Sequence, residues 1–543
     1  MAAPDLALVR RWLSEHSNLE GLSIEPRSTQ QLHDTYLDTD DWRIYRAGFA
    51  LRLRNGSGKH EATLKSLKSA REDLADRIEL NERLGGSTQT AVGRLAGPVG
   101  TRVHAVAGRQ PLHPLFEVRT RRQRYAIRDH EQADLAEIAL DETVISRPEG
   151  EARASVQRVE IEVLGSQHRP LEKLVASLCT ECALQRVPQS KYELGLQLVG
   201  LDPTATPQFA QTSIDASMSA AEAATTALRR LLAAWLTQEP AARLGDDPEA
   251  VHALRVTARR MEALLGLFAR HVPRPLMRLR PKLKSLLRLL GAVRDADLQL
   301  ASLASFGEGL TEPQRAALEP LRQHLESERT RARLAMLRAL DAKPTAAWFE
   351  RMTQTLLQPA SPTDTAPSSD TLLAVAPALI RDRFRKLRKT FRQLPEHAAM
   401  EDYHRARRRA KKVRYAIEPV AVLYGKPAEE LLRTLRRLQD HLGTQQDAHV
   451  AMTRLLALAT DPPAGLGPTA VFLMGRLAER QVGCAADAHK GIGKAWRKLR
   501  GSRWRALRAR MQEVSEQPPT SGRPVSTASE PTLPAAAPNA KPT

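Results

Sequence analysis

The chain is 543 residues long and strongly basic, with 82 Lys and Arg residues against 62 Asp and Glu residues and a formal net charge of +20. This length exceeds what one hydrophobic core supports, so we expect two or three domains. The charge favours polyanionic partners: nucleic acid, acidic membrane or polyphosphate. Aromatic residues make up only 4% of the sequence, which leaves few surfaces for stacking bases and disfavours nucleic acid.

The cysteine content and the hydropathy indicate the cellular compartment. The three cysteines, Cys179, Cys182 and Cys484, form no disulfide framework. The Cys179-x-x-Cys182 pair also lacks the second pair that would complete a zinc site. We find no signal-peptide pattern and no apolar run of membrane-spanning length, and therefore expect a cytoplasmic protein without a membrane partner.

Residues 30 to 165 have the alternating pattern of β-strands. Phe49, Leu51 and Leu53 share one face of a strand, whereas Arg52 and Arg54 share the other. A charged face of a single strand ordinarily faces water, but this mixture of cations and paired carboxylates also suits a barrel that holds phosphates and a divalent metal inside. The predicted strands are Leu32–Thr39, Phe49–Arg54, Lys59–Leu67, Phe116–Arg128, Asp134–Ile145 and Gln157–Leu164.

Several segments of this region resemble, in order, the CYTH family of triphosphate tunnel proteins. They are Tyr36-Leu37-Asp38-Thr39, Arg46 to Arg54, Ala62-Thr63-Leu64-Lys65, Glu137 to Asp141, Val159-Glu160-Ile161-Glu162 and Ser190-Lys191-Tyr192. The resemblance implies an eight-stranded antiparallel tunnel that binds a triphosphate-type substrate with Mg²⁺ or Mn²⁺. By similarity, the phosphates would be held by Arg52, Arg54, Lys65, Arg122 and Lys191, and the metal by Glu160 and Glu162.

The pattern departs from this family at its start. CYTH proteins open with a strand that reads Glu-x-Glu-x-Lys and supplies metal-binding carboxylates, whereas this sequence starts with Met1-Ala2-Ala3-Pro4-Asp5. We therefore expect either a tunnel without its first strand or a true start upstream of Met1. An inorganic triphosphatase activity is expected only if that strand exists upstream, because bridging metal neutralises phosphate charge and orients the attacking water.

After a polar linker at 201–212, the apolar residues of 213–510 follow a helical period. A Pro-, Ser- and Thr-rich loop near 358–370 divides this region into halves of about 213–357 and 371–510. The halves are copies, because His252 and His404, Gly291 and Gly443, and Asp295 and Asp447 share one offset of 152 residues. Residues 511–543 lack periodic apolar residues, and we expect them to be disordered.

Each copy places a histidine and basic residues on one helical face. His252, Arg255 and Arg259 occupy positions i, i+3 and i+7, as do His404, Arg407 and Lys411. Such a stripe suits an anion. An isolated histidine would be better interpreted as a helix residue whose ring nitrogen donates a hydrogen bond locally. Because the histidine is repeated beside Arg in both copies, a role as hydrogen-bond donor to an anion is favoured. Zinc is disfavoured because neither helix adds a Cys, Asp or Glu at ligand spacing.

The duplicated region resembles the CHAD family, the conserved histidine α-helical domain. The resemblance lies in Val251 to Arg260, Leu290 to Asp295, Tyr403 to Tyr415, and Leu442-Gly443 with Asp447. It implies two four-helix bundles related by pseudo-two-fold symmetry, with a basic groove that binds inorganic polyphosphate. The residues we expect in this groove are His252, Arg255, Arg259, Lys284, His404, Arg407, Lys411, Arg414 and Arg436.

The sequence thus predicts an α+β multidomain protein, with a tunnel domain at 1–200 and duplicated four-helix bundles at 213–510. We expect it to bind polyphosphate and to carry a CYTH domain of the inorganic triphosphatase type. A non-catalytic scaffolding protein on cytoplasmic polyphosphate granules is the first alternative, and a sequence-independent nucleic-acid binder is the weaker one. Triphosphate, long polyphosphate, a nucleoside triphosphate and thiamine triphosphate all stay open as ligands, and so does the oligomeric state.

Overall fold

The computed structural model describes residues 1–19, 21–56, 59–67, 79–84, 97–148, 150, 152–164, 169–187, 189–357, 370–395, 398–463 and 465–516. The chain divides into two compact units, Met1–Ala205 and Thr206–Thr543. Residues 358–369 of the predicted loop, and the predicted tail from 517 onward, lie outside the described residues. Residues 511–516 were predicted to belong to the disordered tail, but they end a helix, because Met511 and Val514 are buried.

An antiparallel sheet of eight strands forms the first unit. The order across the sheet is β5-β4-β3-β2-β6-β7-β8, and β1 pairs with β2. Strand β2 starts ten residues earlier than predicted, because Pro26 and the polar residues after it interrupt the alternation, and a register shift lies between Pro26 and Thr29. The strands are β1 (Asn18–Leu19), β2 (Leu22–Asp38), β3 (Phe49–Gly56), β4 (Lys59–Ser66), β5 (Glu79–Arg83), β6 (His113–Arg128), β7 (Asp134–Ser146) and β8 (Ala152–Val163).

Helices pack against this sheet and carry one of the predicted site residues. Helix α5 starts with a capping box formed by Ser190 and Glu193, and this places Lys191 at its first position. A Cβ atom on Gly195 of α5 would lie 2.2 Å from the Phe116 ring, so only glycine permits this close approach. The helices of this unit are α1 (Leu6–Glu15), α2 (Arg43–Arg46), α3 (Pro98–Ala107), α4 (Arg169–Glu181) and α5 (Lys191–Val199).

The second unit is helical in its described part. Short 3₁₀ turns occur at Gln208–Ala210 and Glu418–Val420, and a π turn at Leu499–Arg503. No described helix has both the length and the apolar character that crossing a membrane requires. The helices are α6 (Ala220–Leu244), α7 (Pro248–Leu267), α8 (Arg274–Gly307), α9 (Glu312–Ala317), α10 (Glu319–Asp341), α11 (Lys343–Leu357), α12 (Leu372–Arg392), α13 (Met400–Ile417), α14 (Ala421–Tyr424), α15 (Lys426–Thr460), α16 (Pro468–Lys498) and α17 (Trp504–Glu516).

The duplication is visible in the helix starts. Helices α12, α13 and α15 each begin 152 residues after α6, α7 and α8. The N-cap residues of α6 and α12, Ser219 and Thr371, also pair with each other across the halves. The backbone N–H of Ala220 donates to the carbonyl of Asp370 (3.1 Å), and that of Leu372 donates to the carbonyl of Met218 (2.9 Å). Reciprocal bonds between equivalent residues are the signature of a two-fold relationship.

The two halves meet at two apolar clusters. The larger cluster combines Leu254 and Leu290 of the first half with Val413 and Leu442 of the second, all at most 1% exposed. Each fully buried leucine contributes about 1.5–3 kcal/mol. The smaller cluster joins the far ends of the long helices and includes Leu303, Leu321, Leu325 and Leu477. These four leucines also line a cavity that lies between the halves.

Candidate functional site

The cavity between the halves of the helical unit has a volume of about 2090 Å³. Helices α7, α8, α13 and α15 supply most of its wall. Twelve Lys or Arg residues line it against five Asp or Glu residues, so that its interior attracts anions. Seven of the nine residues predicted for a polyphosphate groove line this cavity, namely His252, Arg255, Arg259, Lys284, His404, Arg407 and Lys411.

Arg414 and Arg436 are the two predicted residues that lie outside the lining. The Arg414 guanidinium lies over the ring of Tyr415, 5.0 Å from its centre, and its Nε is 3.3 Å from Glu418. Arg436 is half-buried on α15. Seven other lining cations were not predicted as site residues, because none of them falls on the stripes of i, i+3 and i+7 spacing; they are Arg280, Arg288, Arg294, Arg383, Arg408, Lys412 and Arg454.

One arginine of each half lies against a glycine of the neighbouring long helix. A Cβ atom on Gly291 would lie 3.5 Å from Nη2 of Arg255, and a Cβ atom on Gly443 would lie 3.0 Å from Nη2 of Arg407. Without a side chain at these positions, the guanidinium can approach the helix backbone. The close approach explains the glycine at position 443, whereas a Cβ atom at position 291 would make an ordinary van der Waals contact with Arg255.

The same two arginines have acidic neighbours, but part of each guanidinium lacks a hydrogen-bond acceptor. Arg255 lies 4.0 Å from Asp295, and Arg407 lies 3.5 Å from Asp447. Within the described residues, the buried Nε of each guanidinium has no hydrogen-bond acceptor. A buried donor without an acceptor costs free energy, so both arginines retain the capacity to bind an anion.

Lys411 lies among four arginines. Its burial, together with the charges of Arg407, Arg259, Arg255 and Arg414, lowers the pKa of Lys411 to about 6. Burial and the charge of Arg259 also lower the pKa of Arg255. We call Arg255, Arg259, Arg407 and Lys411 the central cluster. The mutual repulsion of these cations would be relieved by an anion placed between them.

The histidines lie beside this cluster at the cavity wall. Burial, followed by the charge of Arg294, lowers the pKa of His252. Its buried Nδ1 has no hydrogen-bond partner in the described part of the chain. A neutral imidazole can donate one hydrogen bond and needs no proton uptake to do so. His252 is thus suited to donate to a phosphate oxygen.

In the first unit, the predicted phosphate-binding cations are already paired with carboxylates. Arg54 lies opposite Asp34 across β2 and β3 and binds it through two hydrogen bonds of 2.7 and 2.8 Å. Arg122 binds Asp141 in the same way, with two bonds of 2.7 Å. The remaining pairs are Lys191 with Asp141 and Glu160, Lys65 with Glu79, and Arg52 with Asp34 and Glu79.

The predicted metal ligands do not form a metal site in the described structure. Glu160 pairs with Lys191 at 3.0 Å and with Arg122 at 2.5 Å. Burial opposes its ionisation, but Lys191 and Arg122 outweigh this effect and lower the pKa of Glu160 to about 2. Glu162 is exposed. No three His, Cys, Asp or Glu side chains among the described residues are placed to hold a metal, so these residues do not fit Mg²⁺ or Mn²⁺.

Comparisons with solved structures found several similar chains. The chain is similar to PptA from Streptomyces chartreusis (20% identity, 52% of this chain and 100% of that chain, TM-score 0.42). It is also similar to the CHAD domain from the plant Ricinus communis (25% identity, 54% and 96%, TM-score 0.44). A third similar structure is HpAC1 from Hippeastrum, described as having a dominant triphosphatase activity (18% identity, 36% and 92%, TM-score 0.28). No curated protein matches the chain.

The family comparison locates the two domains. The CYTH domain model matches residues 9–192, which include the eight-stranded sheet and the start of α5. The CHAD domain model matches residues 226–456, which include both histidine helices, α7 and α13, all of the long helix α8 and most of the long helix α15. The chain therefore contains a CYTH domain followed by a CHAD domain.

Proposed function

We propose that this protein binds linear inorganic polyphosphate in the cavity between the halves of its CHAD domain. The observation that carries this proposal is the central cluster, where burial and four neighbouring arginines lower the pKa of Lys411 to about 6. A phosphate chain carries closely spaced charges along its length, and it can neutralise several of these cations at once. A single small anion would leave part of the repulsion in place.

Nucleic acid is the second polyanion that the charge allows. Its bases contribute to binding by stacking on aromatic side chains. Of the described residues that line the cavity, only Tyr415 is a Phe, Trp or Tyr, and the guanidinium of Arg414 already covers its ring. The cavity therefore offers donors for phosphate oxygens without surfaces for bases, which favours polyphosphate.

The CYTH domain is proposed to bind a triphosphate-type ligand without efficient hydrolysis. Several of its cations form ion pairs with Asp34 and Asp141, whose side chains belong to residues that are only 3% and 0% exposed. A triphosphate must compete with these carboxylates for the same donors. Since Glu160 is also engaged by cations, this proposal favours a binding or scaffolding protein, recruited to polyphosphate granules, over a triphosphatase.

The test is a titration of the full chain with long-chain polyphosphate by calorimetry, with duplex DNA as competitor at fixed salt. Arg255→Gln with Arg407→Gln should weaken polyphosphate binding by about a hundredfold, because two charge-assisted hydrogen bonds are lost. The matched control removes two exposed arginines of α17, Arg505→Gln with Arg508→Gln, and should keep the affinity. Equal losses in both variants, or displacement of polyphosphate by equimolar DNA, would contradict the proposal.

A further inference from the structure

One side of the CHAD cavity carries a second group of cations besides the central cluster. It lies between α8 of the first half and α12 and α13 of the second, and four of its six side chains are exposed, so that this side is open to solvent. Along α8 its residues follow one another at intervals of one helical turn, about 6 Å. We call this group the basic track; its members are Arg280, Lys284, Arg288, Arg383, Arg408 and Lys412.

Acidic residues compensate little of this charge. Glu262, which lines the cavity beside the track, pairs with Arg280 at 2.7 Å. Gly266 is next to it, and a Cβ atom there would lie 2.9 Å from Nη2 of Arg280. Burial and the charges of Arg409 and Arg383 lower the pKa of Lys412, which shows that the cations of α12 and α13 repel one another. With six cations and Glu262 as the one acid among the lining residues, this side of the cavity wall carries five net positive charges. Asp382, outside the lining, lies 3.7 Å from Arg383.

The residues that lie 152 positions from the track residues in the sequence do not form a second basic track. We call the side of the domain where they lie the counterpart side. The cation Arg288 has Asp440 as its counterpart, and Gly266 has Glu418. Glu418 lies 3.4 Å from Arg260, the counterpart of Lys412, and 3.3 Å from Arg414. The counterparts of Arg280, Arg383 and Arg408 are the uncharged Leu432, Leu231 and Val256.

The difference in charge and access between the two sides is large. On the counterpart side, three cations (Arg260, Arg414 and Arg436) face two acids (Glu418 and Asp440), which leaves one net positive charge. Of these five residues, only Asp440 lines the cavity. A polyanion that left the central cluster in this direction would meet a carboxylate first, and like charges repel.

We infer that a polyphosphate chain leaves the central cluster on one side only, along the basic track, so that the duplicated CHAD domain holds its ligand asymmetrically and selects chains long enough to reach the track. The inference rests on the proposed function. A short anion is satisfied by the central cluster alone. A longer chain adds contacts with the exposed cations of α8 and α13, and each added contact strengthens binding.

The experiment compares tripolyphosphate with long-chain polyphosphate as calorimetric ligands of the full chain, and the binding that remains with Arg255→Gln and Arg407→Gln is subtracted as the contribution of the CYTH domain. The track variant is Lys284→Gln, Arg288→Gln and Lys412→Gln, three exposed positions whose loss leaves folding intact. We expect its affinity for long chains to fall about tenfold, the combined effect of three exposed ionic contacts, with tripolyphosphate affinity unchanged. The matched control is Lys426→Gln, Arg433→Gln and Arg437→Gln, which removes the same charge from exposed positions of α15 and should keep both affinities.

The outcomes separate the two proposals. If the wild-type chain binds neither ligand, the proposed function is wrong and the asymmetric path with it. If the wild type binds but the track and control variants weaken long-chain binding equally, only the asymmetric path is overturned. Equal loss of both ligands in the track variant would also overturn it, since the track would then belong to the central cluster. In addition, Glu418→Gln with Asp440→Asn should raise long-chain affinity severalfold, because repulsion on the counterpart side is removed.

Discussion

Arg407 lies so close to Gly443 that a Cβ atom on the glycine would approach its Nη2 to 3.0 Å. The equivalent contact of Arg255 with Gly291 leaves 3.5 Å, an ordinary van der Waals distance. Both halves of the CHAD domain have a glycine at this position, but a Cβ atom would have less space at Gly443 than at Gly291. This difference provides a test in which stability and binding change in opposite directions.

Gly443→Ala should stabilise the fold and weaken binding. Alanine in a helix interior is favoured over glycine by about 0.8–1 kcal/mol, whereas the new methyl group displaces the Arg407 guanidinium. We expect polyphosphate affinity to fall by up to about tenfold, the value of one charge-assisted hydrogen bond. Urea unfolding and calorimetry measure the two effects. Gly291→Ala is the control, with similar stabilisation and unchanged affinity; equal affinity losses in both variants would contradict the role of the 3.0 Å contact.

Polyphosphate binding should strengthen as the pH falls from about 8 to about 6. Lys411 has a pKa of about 6 in the free protein and is mostly neutral above it. A bound polyanion favours the charged form and raises this pKa, so binding takes up a proton between the two pKa values, and the affinity gains at most about tenfold per pH unit there. Calorimetry in buffers of different ionisation enthalpy measures the uptake. Lys411→Gln should remove most of it, and an unchanged uptake in this variant would assign the proton to another group, such as His252.

Salt should weaken polyphosphate binding steeply, because the polyanion releases counterions when the cavity cations replace them. Each cation that contacts a phosphate adds about one unit to the slope of log affinity against log salt concentration. Arg255→Gln should therefore reduce this slope by about one, while Arg505→Gln on the exposed side of α17 leaves it unchanged. A salt-independent affinity of the wild type would argue against an ionic cavity.

Glu160→Gln should strengthen tripolyphosphate binding by the CYTH domain severalfold, since it releases Lys191 and Arg122 from a carboxylate at 3.0 and 2.5 Å. The measurement uses the full chain carrying Arg255→Gln and Arg407→Gln, so that the CHAD cavity contributes little. We also expect little phosphate release with Mg²⁺ or Mn²⁺, before or after the change. Metal-dependent turnover that Glu160→Gln abolishes, while Glu162→Gln does not, would show that Glu160 holds a catalytic metal.

Local periodicity predicted much of the CHAD domain. The stripe of His404, Arg407 and Lys411 follows from residue spacing on a helix, and the offset of 152 residues follows from comparing the chain with itself. Both depend only on the order of residues in the sequence, so they hold for any packing arrangement of the helices. For the same reason, the predicted strands Phe49–Arg54 and Asp134–Ile145 lie within β3 and β7 as observed.

Contacts between distant segments were beyond such prediction. Arg383 and Arg280 carried no local sequence signal that would place them in the groove, yet both line the cavity. Arg122 and Glu160 are 38 residues apart and meet through β7, which lies between their strands. Their pairing depends on strand register, which the alternating pattern leaves open by steps of two residues.

The sequence by itself determined the two domains, the duplication and the basic stripes, because composition and period act within a helix or strand. Only the tertiary structure decided which cations share a cavity, which are neutralised by carboxylates, and why Glu418 and Asp440 make the two sides of a duplicated domain unequal. Electrostatic interaction depends on distance and burial, and for residues far apart in the chain both quantities exist only once the helices and strands have packed.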